Sequence, residues 1–209
     1  MSRFEFISRS PVSCVKSVAV IGCGATALYF LKHIVDNGSY GLALTFFSAP
    51  SSPGAGIPND AERVGMEALA NIACADVPDL PVAPEEWFAS QSDRWLDEQQ
   101  IERQLIEPGF IPTHQALEKY FEAQFQSLLH SAANIGLSVR SLRQTTVTDM
   151  QATDRGVMLT FYGSASDEGN IIDFDYAVIA TGHPCPPAPQ WSAHQASSRW
   201  MAAVSASYL

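Results

Sequence analysis

One stretch near the N-terminus constrains this chain more than any other. Val18, Ala19, Val20 and Ile21 run directly into Gly22, Cys23, Gly24, Ala25, Thr26 and Ala27. An apolar, β-branched run without polar alternation reads as a strand covered on both faces, the pattern of a parallel sheet. After the turn, Leu28, Leu31, Ile34 and Val35 recur at helical spacing, and Asn37 with Gly38 supplies a stop. A second apolar run, Leu42 to Phe47, follows. Strand, helix and strand together take up the roughly 30 residues of a βαβ unit.

The turn has the form Gly-x-Gly-x-x-Ala, and each small residue has a physical reason. Gly22 permits the tight exit from the strand. Gly24 leaves room for a pyrophosphate to approach the backbone. Ala27 lets the helix pack closely on the strand. The helix then offers unpaired N–H groups and a partial positive charge to phosphate, with Ala25 and Thr26 at its start. The same fingerprint expects an acid at the end of the second strand to hold a ribose hydroxyl. Ser48 stands there instead, a weaker hydrogen-bonding partner than a carboxylate.

Further along, residues 49–56 form a Pro/Ser/Gly loop, and 57–113 read as a mostly helical insertion. Pro84, Glu85 and Glu86 make a helix start, with Pro at the first position and acids in the first turn. A long helix is predicted from Gln115 to Asn134, with Leu117, Phe121, Phe125, Leu128 and Ala132 as its apolar stripe. Leu137 to Leu142 reads as a third parallel strand. The period then changes: Thr145–Met150, Val157–Tyr162 and Ile171–Phe174 form an antiparallel meander, with turns at 154–156 and 167–169. Tyr176 to Ala180 is apolar again and returns to the main sheet, ending on Thr181 and Gly182.

These elements predict an α/β fold: a Rossmann-type, three-layer parallel sheet with an antiparallel β-meander and a helical insertion. One dinucleotide-binding domain spans 17–183, flanked by an extension at 1–16 and a Pro-, Ala- and Ser-rich tail at 184–209. After Gly182, four prolines in seven residues exclude a helix or a central strand.

The formal net charge of −10 argues against nucleic acid or an anionic membrane as a partner. It leaves a dinucleotide open, because backbone N–H groups hold pyrophosphate without Lys or Arg. The four cysteines, Cys14, Cys23, Cys74 and Cys185, match no zinc spacing and read as reduced thiols of a cytoplasmic protein. The run from Val18 to Val35 is broken by glycines, Lys32 and His33 and does not read as a membrane span. His114, His130, His183 and His194 show no metal spacing, so no metal is expected. No Gly-x-Ser-x-Gly elbow is present, and no catalytic side chain is assigned. Cys23 reads as a small packing residue, and Trp87 and Trp95 as core or partner-surface residues.

The apolar run closing on Ala180, Thr181 and Gly182 after a meander resembles the second signature of two-dinucleotide-binding flavoproteins. Pro53 to Asn59 and Leu69 to Pro78 look like the matching segments of a bacterial FAD/NAD(P)-binding protein family, itself distantly similar to amine-hydroxylating flavin monooxygenases. The resemblance runs from Ser17 to His183. It implies FAD as cofactor, with NAD(P)H as a second dinucleotide. By that resemblance Gly22, Gly24 and Ala27 face the FAD pyrophosphate, Thr181 and Gly182 lie near the dinucleotide, and Asn71 sits toward the flavin. The bland alternative for Asn71 is a loop side chain satisfying its own backbone.

Two departures stand out. Family members carry Pro-Arg before the long helix, whereas this chain has Pro112, Thr113 and His114. Such enzymes also continue into a second domain, whereas only 184–209 follow here, which suggests truncation. The resemblance therefore implies a dinucleotide-binding protein related to flavin-dependent oxidoreductases. The alternatives are a degenerate, non-catalytic binding module, or one subunit of a split flavoenzyme. In the last case a partner or a second copy covers the flavin, and Trp191, Trp200, Met201 and Tyr208 serve as contacts.

Overall fold

The computed structural model describes residues 15–38, 41–49, 68–163 and 169–182. Its elements follow the βαβ reading closely. Strand β1 is Lys16–Ile21, helix α1 Ala25–Asp36 and strand β2 Leu42–Ser48. Two short helices follow, α2 at Pro84–Ala89 and α3 at Asp93–Glu98, then the long α4 at His114–Asn134. Strand β3 is Ser138–Arg143, the meander is β4 Thr145–Thr153, β5 Gly156–Gly163 and β6 Asn170–Phe174, and β7 is Tyr176–Ile179. Lys16, read as part of the N-terminal extension, is the first residue of β1. The turn at 167–169 falls largely outside the described residues, as do Pro53–Asn59 and the tail.

The main sheet has the order β3-β2-β1-β7, with every pair parallel. The register aligns the strand ends. Ile21 lies opposite Phe47 on one side and Ile179 on the other, and Phe47 lies opposite Leu142. The turns that follow β1 and β7 therefore emerge at one edge of the sheet, beside the end of β2.

Three layers result. Consecutive side chains of a strand point to opposite faces, and Phe46 and Phe47 show the consequence. Phe46 packs edge-on against Phe125 of α4 at 5.4 Å, in a core shared with Leu28, Leu31 and Leu128. Phe47 packs edge-on against Phe161 of β5 at 5.1 Å and Phe174 of β6 at 5.9 Å, in a second core with Ala19 and Leu159. Helices cover one face and the antiparallel sheet covers the other, which is why β1 and β2 carry no polar alternation. The predicted stripe on α4 (Leu117, Phe121, Phe125, Leu128 and Ala132) is buried throughout.

The segment 68–113 is built onto the helical layer and has no separate core. Phe88 and Leu96 belong to the same cluster as Val18 and Leu44. Trp87 meets Phe88, Trp95 and Tyr120 edge-on, and both tryptophans are half-buried, packed against the edge of the core. The Tyr120 hydroxyl donates to the Val82 carbonyl at 2.8 Å, and Tyr29 on α1 donates to the Pro78 carbonyl at 2.7 Å. Burial raises the Tyr29 hydroxyl to about 12, with Asp79 adding to the shift. Cys74 is a buried free thiol pushed up to about 11 by burial, then by Glu85, so it is not a reactive thiolate.

Candidate functional site

The strongest structural fact about the two motifs is that they touch. Gly22 adopts φ +97°, and a Cβ placed on it would lie 2.4 Å from the Ala180 carbonyl oxygen and 3.0 Å from the Thr181 Cα. Any side chain there would collide with backbone, so glycine is needed for both its dihedral and its size. Two hydrogen bonds fix the approach: Gly22 N–H donates to the Phe47 carbonyl at 3.0 Å, and Ala180 N–H donates to the Ile21 carbonyl at 2.7 Å. The ladder thus continues one residue past each strand end and stops where the chain turns away.

Helix α1 starts immediately beyond. Gly24 is its N-cap, with extended backbone and no side-chain cap, and the first turn contains no acid. The opening N–H groups have no intrahelical acceptor. Ala25 is half-buried and Thr26 exposed, while Ala27 is fully buried in the helix-face core. Ala27 thus packs the helix against the sheet, and Gly24, Ala25 and Thr26 form the open rim. Thr181 and Gly182 are both exposed beside it. This rim is small, carries no acid in its first turn and is rich in backbone donors, a chemistry that suits a diphosphate.

The remaining candidates are placed differently. Ser48 ends β2, opposite Arg143 of β3, and is fully buried. Asn71 is exposed in a bend just after the point where Leu69 pairs antiparallel with Thr113 and Ala70 N–H donates to the Pro112 carbonyl at 2.8 Å. Thr113 itself has a clear job. Its hydroxyl accepts the Ala116 N–H at 3.1 Å and caps α4. The position without an arginine is therefore a helix cap, a role that a Thr placed just before an apolar stripe signals in sequence. Cys23 is buried, as expected for a packing residue, and His33 is exposed. Among the described residues no His/Cys/Asp/Glu group could hold a metal ion.

Sequence reading missed the opposite end of the same strands. Asp175, between β6 and β7, accepts from Lys16 Nζ at 2.7 Å, Ser17 N–H at 2.8 Å and Ser17 Oγ at 2.9 Å. Asp175 N–H in turn donates to Ser17 Oγ at 3.0 Å. These bonds hold its carboxyl down at about 2, Lys16 first and Ser17 next.

A family model described as FAD-NAD(P)-binding matches residues 19–184, from β1 through both motifs. The chain belongs to this FAD-NAD(P)-binding family. Within the FAD-NAD(P)-binding family's span lie the two touching turns and the uncapped start of α1. The chain is 30% identical over 172 residues to the uncharacterized protein YdhS of Escherichia coli strain K12, covering 82% of this chain and 31% of that protein. It thus spans less than a third of that relative's length. Among solved structures, Tmm from Pelagibacter sp. strain HTCC7211 superposes with a TM-score of 0.51 at 17% identity, covering 82% of this chain and 38% of Tmm. The ornithine N-hydroxylase of Kutzneria sp. 744, seen with reduced FAD, NADP+ and L-ornithine, gives 0.42 at 16% identity, covering 83% of this chain and 37% of that one. At 17% identity the likeness to Tmm is one of fold. No described helix is long and apolar enough to cross a membrane.

Proposed function

We propose that this chain is the FAD-binding part of a flavin-dependent oxidoreductase and that residues 17–183 form its dinucleotide domain. The observation that carries the reading is the contact of Gly22 with Ala180 and Thr181, beside an α1 start left without a cap. Gly22, Gly24, Ala25 and Thr26 would receive the pyrophosphate on backbone N–H groups, and Ala27 would hold the helix close enough to present them. Thr181 and Gly182 would border the dinucleotide where the chain leaves β7. Ser48, being buried, would shape the floor beneath the ribose. Asn71 would face the flavin side.

Bound flavin supplies the redox chemistry in such a protein. The chain's own residues bind and orient it, which is why no nucleophile or acid–base pair need stand out at the rim. NAD(P)H is the proposed electron donor and the cytoplasm the proposed location. The reading favours a partner chain or a second copy as the cover for the flavin, because hydride transfer requires water to be excluded.

A visible absorption spectrum, taken after incubation with FAD and desalting, tests the proposal. Retained flavin absorbance is the expected result, followed by NADPH or NADH oxidation assays. A colourless protein showing no thermal shift with FAD, NADH or NADPH would reduce the motifs to relics of the fold.

A further inference from the structure

Strand β7 carries the Ala180–Gly182 turn, yet its own side chains say little about where it belongs along β1. It is four residues long and, among the described residues, pairs only with β1. Tyr176 is 58% exposed and Ile179 62%, while Ala177 and Val178 are half-buried. Register is strongly specified where a one-residue slip would move a buried apolar set to solvent. Here both terminal side chains already lie in solvent, and only Val178 and Ala177 pack against the two cores, so that restraint is small.

The restraint comes from the residue before the strand. Asp175 takes three hydrogen bonds from Lys16 and Ser17 and returns one to Ser17. Only one pairing of β7 with β1 satisfies all four. The meander closes on the same backbone from another side. A Cβ on Gly156, in the β4–β5 hairpin, would lie 2.1 Å from the Phe174 carbonyl oxygen and 3.1 Å from the Asp175 Cα. Asp175 is therefore gripped by its side chain and by its backbone. From there to Ala180 runs a short extended segment, roughly 17 Å of strand at 3.3 Å per residue. An extended segment does not absorb a displacement at one end without passing it to the other.

We propose that Asp175 is a positioning residue for the dinucleotide site: it sets where β7 lies along β1, and thereby where Ala180, Thr181 and Gly182 lie against Gly22. The proposal rests on the dinucleotide reading above and adds a residue at the far end of the strand to it. Asp175 touches no cofactor; it acts through β7.

The test uses the full chain and two readouts. The first is hydrogen exchange at the Ala180 amide, which donates to Ile21, compared with amides in α4. The second is FAD affinity by fluorescence titration. In D175A, Ala180 exchange should rise about tenfold more than exchange in α4, as a local opening rather than a global one. FAD affinity should fall about tenfold, one decade of binding constant. D175N keeps an acceptor for Ser17 but loses the charge facing Lys16, and should fall between; it also serves if D175A does not fold. Ser92→Ala, which removes the cap of α3 far along the chain, should change neither ratio. Exchange at Ala180 that rises only in step with α4 would show a purely structural role and overturn the proposal. A wild-type protein that binds no FAD would instead sink the dinucleotide reading, and the exchange comparison would still decide whether Asp175 holds the turn.

Discussion

Helices α1 and α4 begin in opposite ways. Both expose the first-turn N–H groups that no helix can pair internally. At α4, Thr113 turns its hydroxyl onto the Ala116 N–H, Pro112 is buried behind it, and His114 N–H donates to the Ala68 carbonyl at 2.8 Å. At α1, Gly24 offers no side chain, the first turn has no acid, and Thr26 lies exposed. A capping hydroxyl is worth about 0.5–2 kcal/mol over alanine, and this chain uses one at α4 and another, Ser92, at α3. Its omission at α1 leaves donors available to something outside the protein. The helix start that is least stabilised by its own chain is the one placed at the meeting of the two motifs.

Substitution at the turn feeding α1 should have the largest effect. Gly22→Ala places a Cβ 2.4 Å from the Ala180 carbonyl oxygen at φ +97°. The backbone strain alone is about 1–3 kcal/mol, and relief of the clash requires the two turns to separate. The variant should lose flavin retention entirely and unfold at a lower denaturant midpoint. Retention at the wild-type level would show that contact between the turns is not needed for binding. Gly24→Asp comes next and separates stability from binding. A carboxylate cap should add a few tenths of a kcal/mol to stability. It should also occupy and repel what the donors would hold, lowering FAD affinity by about tenfold, or roughly 1.4 kcal/mol. Thermal midpoint and FAD titration on the same sample read both. A smaller, one-sided effect is expected at α4: Thr113→Ala should cost about 1 kcal/mol of unfolding free energy, with FAD affinity unchanged. An affinity loss matching that of Gly24→Asp would erase the contrast between the two starts.

Much of this contrast was legible in the sequence, and the unread part has a consistent cause. The strand–turn–helix from Val18 to Ala27, the stripe on α4 and the return of Tyr176 to the main sheet follow from local period and turn chemistry. The Thr113 cap was equally local, since a Thr directly before the apolar stripe of α4 signals a helix start. The contacts that build the site were not local. Gly22 meets Ala180, and Ser17 meets Asp175, across separations of more than 150 residues. No periodicity reports such pairs. The division of Phe46 and Phe47 between two cores was implied by alternation, yet the partners Phe125, Phe161 and Phe174 depend on how the layers stack. Likewise β4 extends to Thr153, past the predicted Met150, because pairing with Gly156 to Met158 carries it through exposed residues of ordinary composition.

The smallest predicted effect uses pH to divide the helix starts from the clamp beneath them. The amide donors at α1 and the hydroxyl of Thr113 do not titrate in acid; Asp175 does. Its carboxyl is held at about 2 against an ordinary 3.8, by Lys16 and then Ser17. A carboxyl lowered in the folded state stabilises fully above its unfolded value, and the contribution fades as pH falls from near 4 toward 2. The ion pair is solvent-exposed, so the effect is modest and shrinks with salt. The difference in denaturation midpoint between the wild-type protein and D175N should therefore be constant near neutrality and narrow through that acid window. The difference between wild type and Thr113→Ala should not change shape there. A D175N difference that stayed flat below pH 4 would mean the clamp holds β7 through hydrogen bonds that survive protonation, leaving charge no part in seating the turn against Gly22.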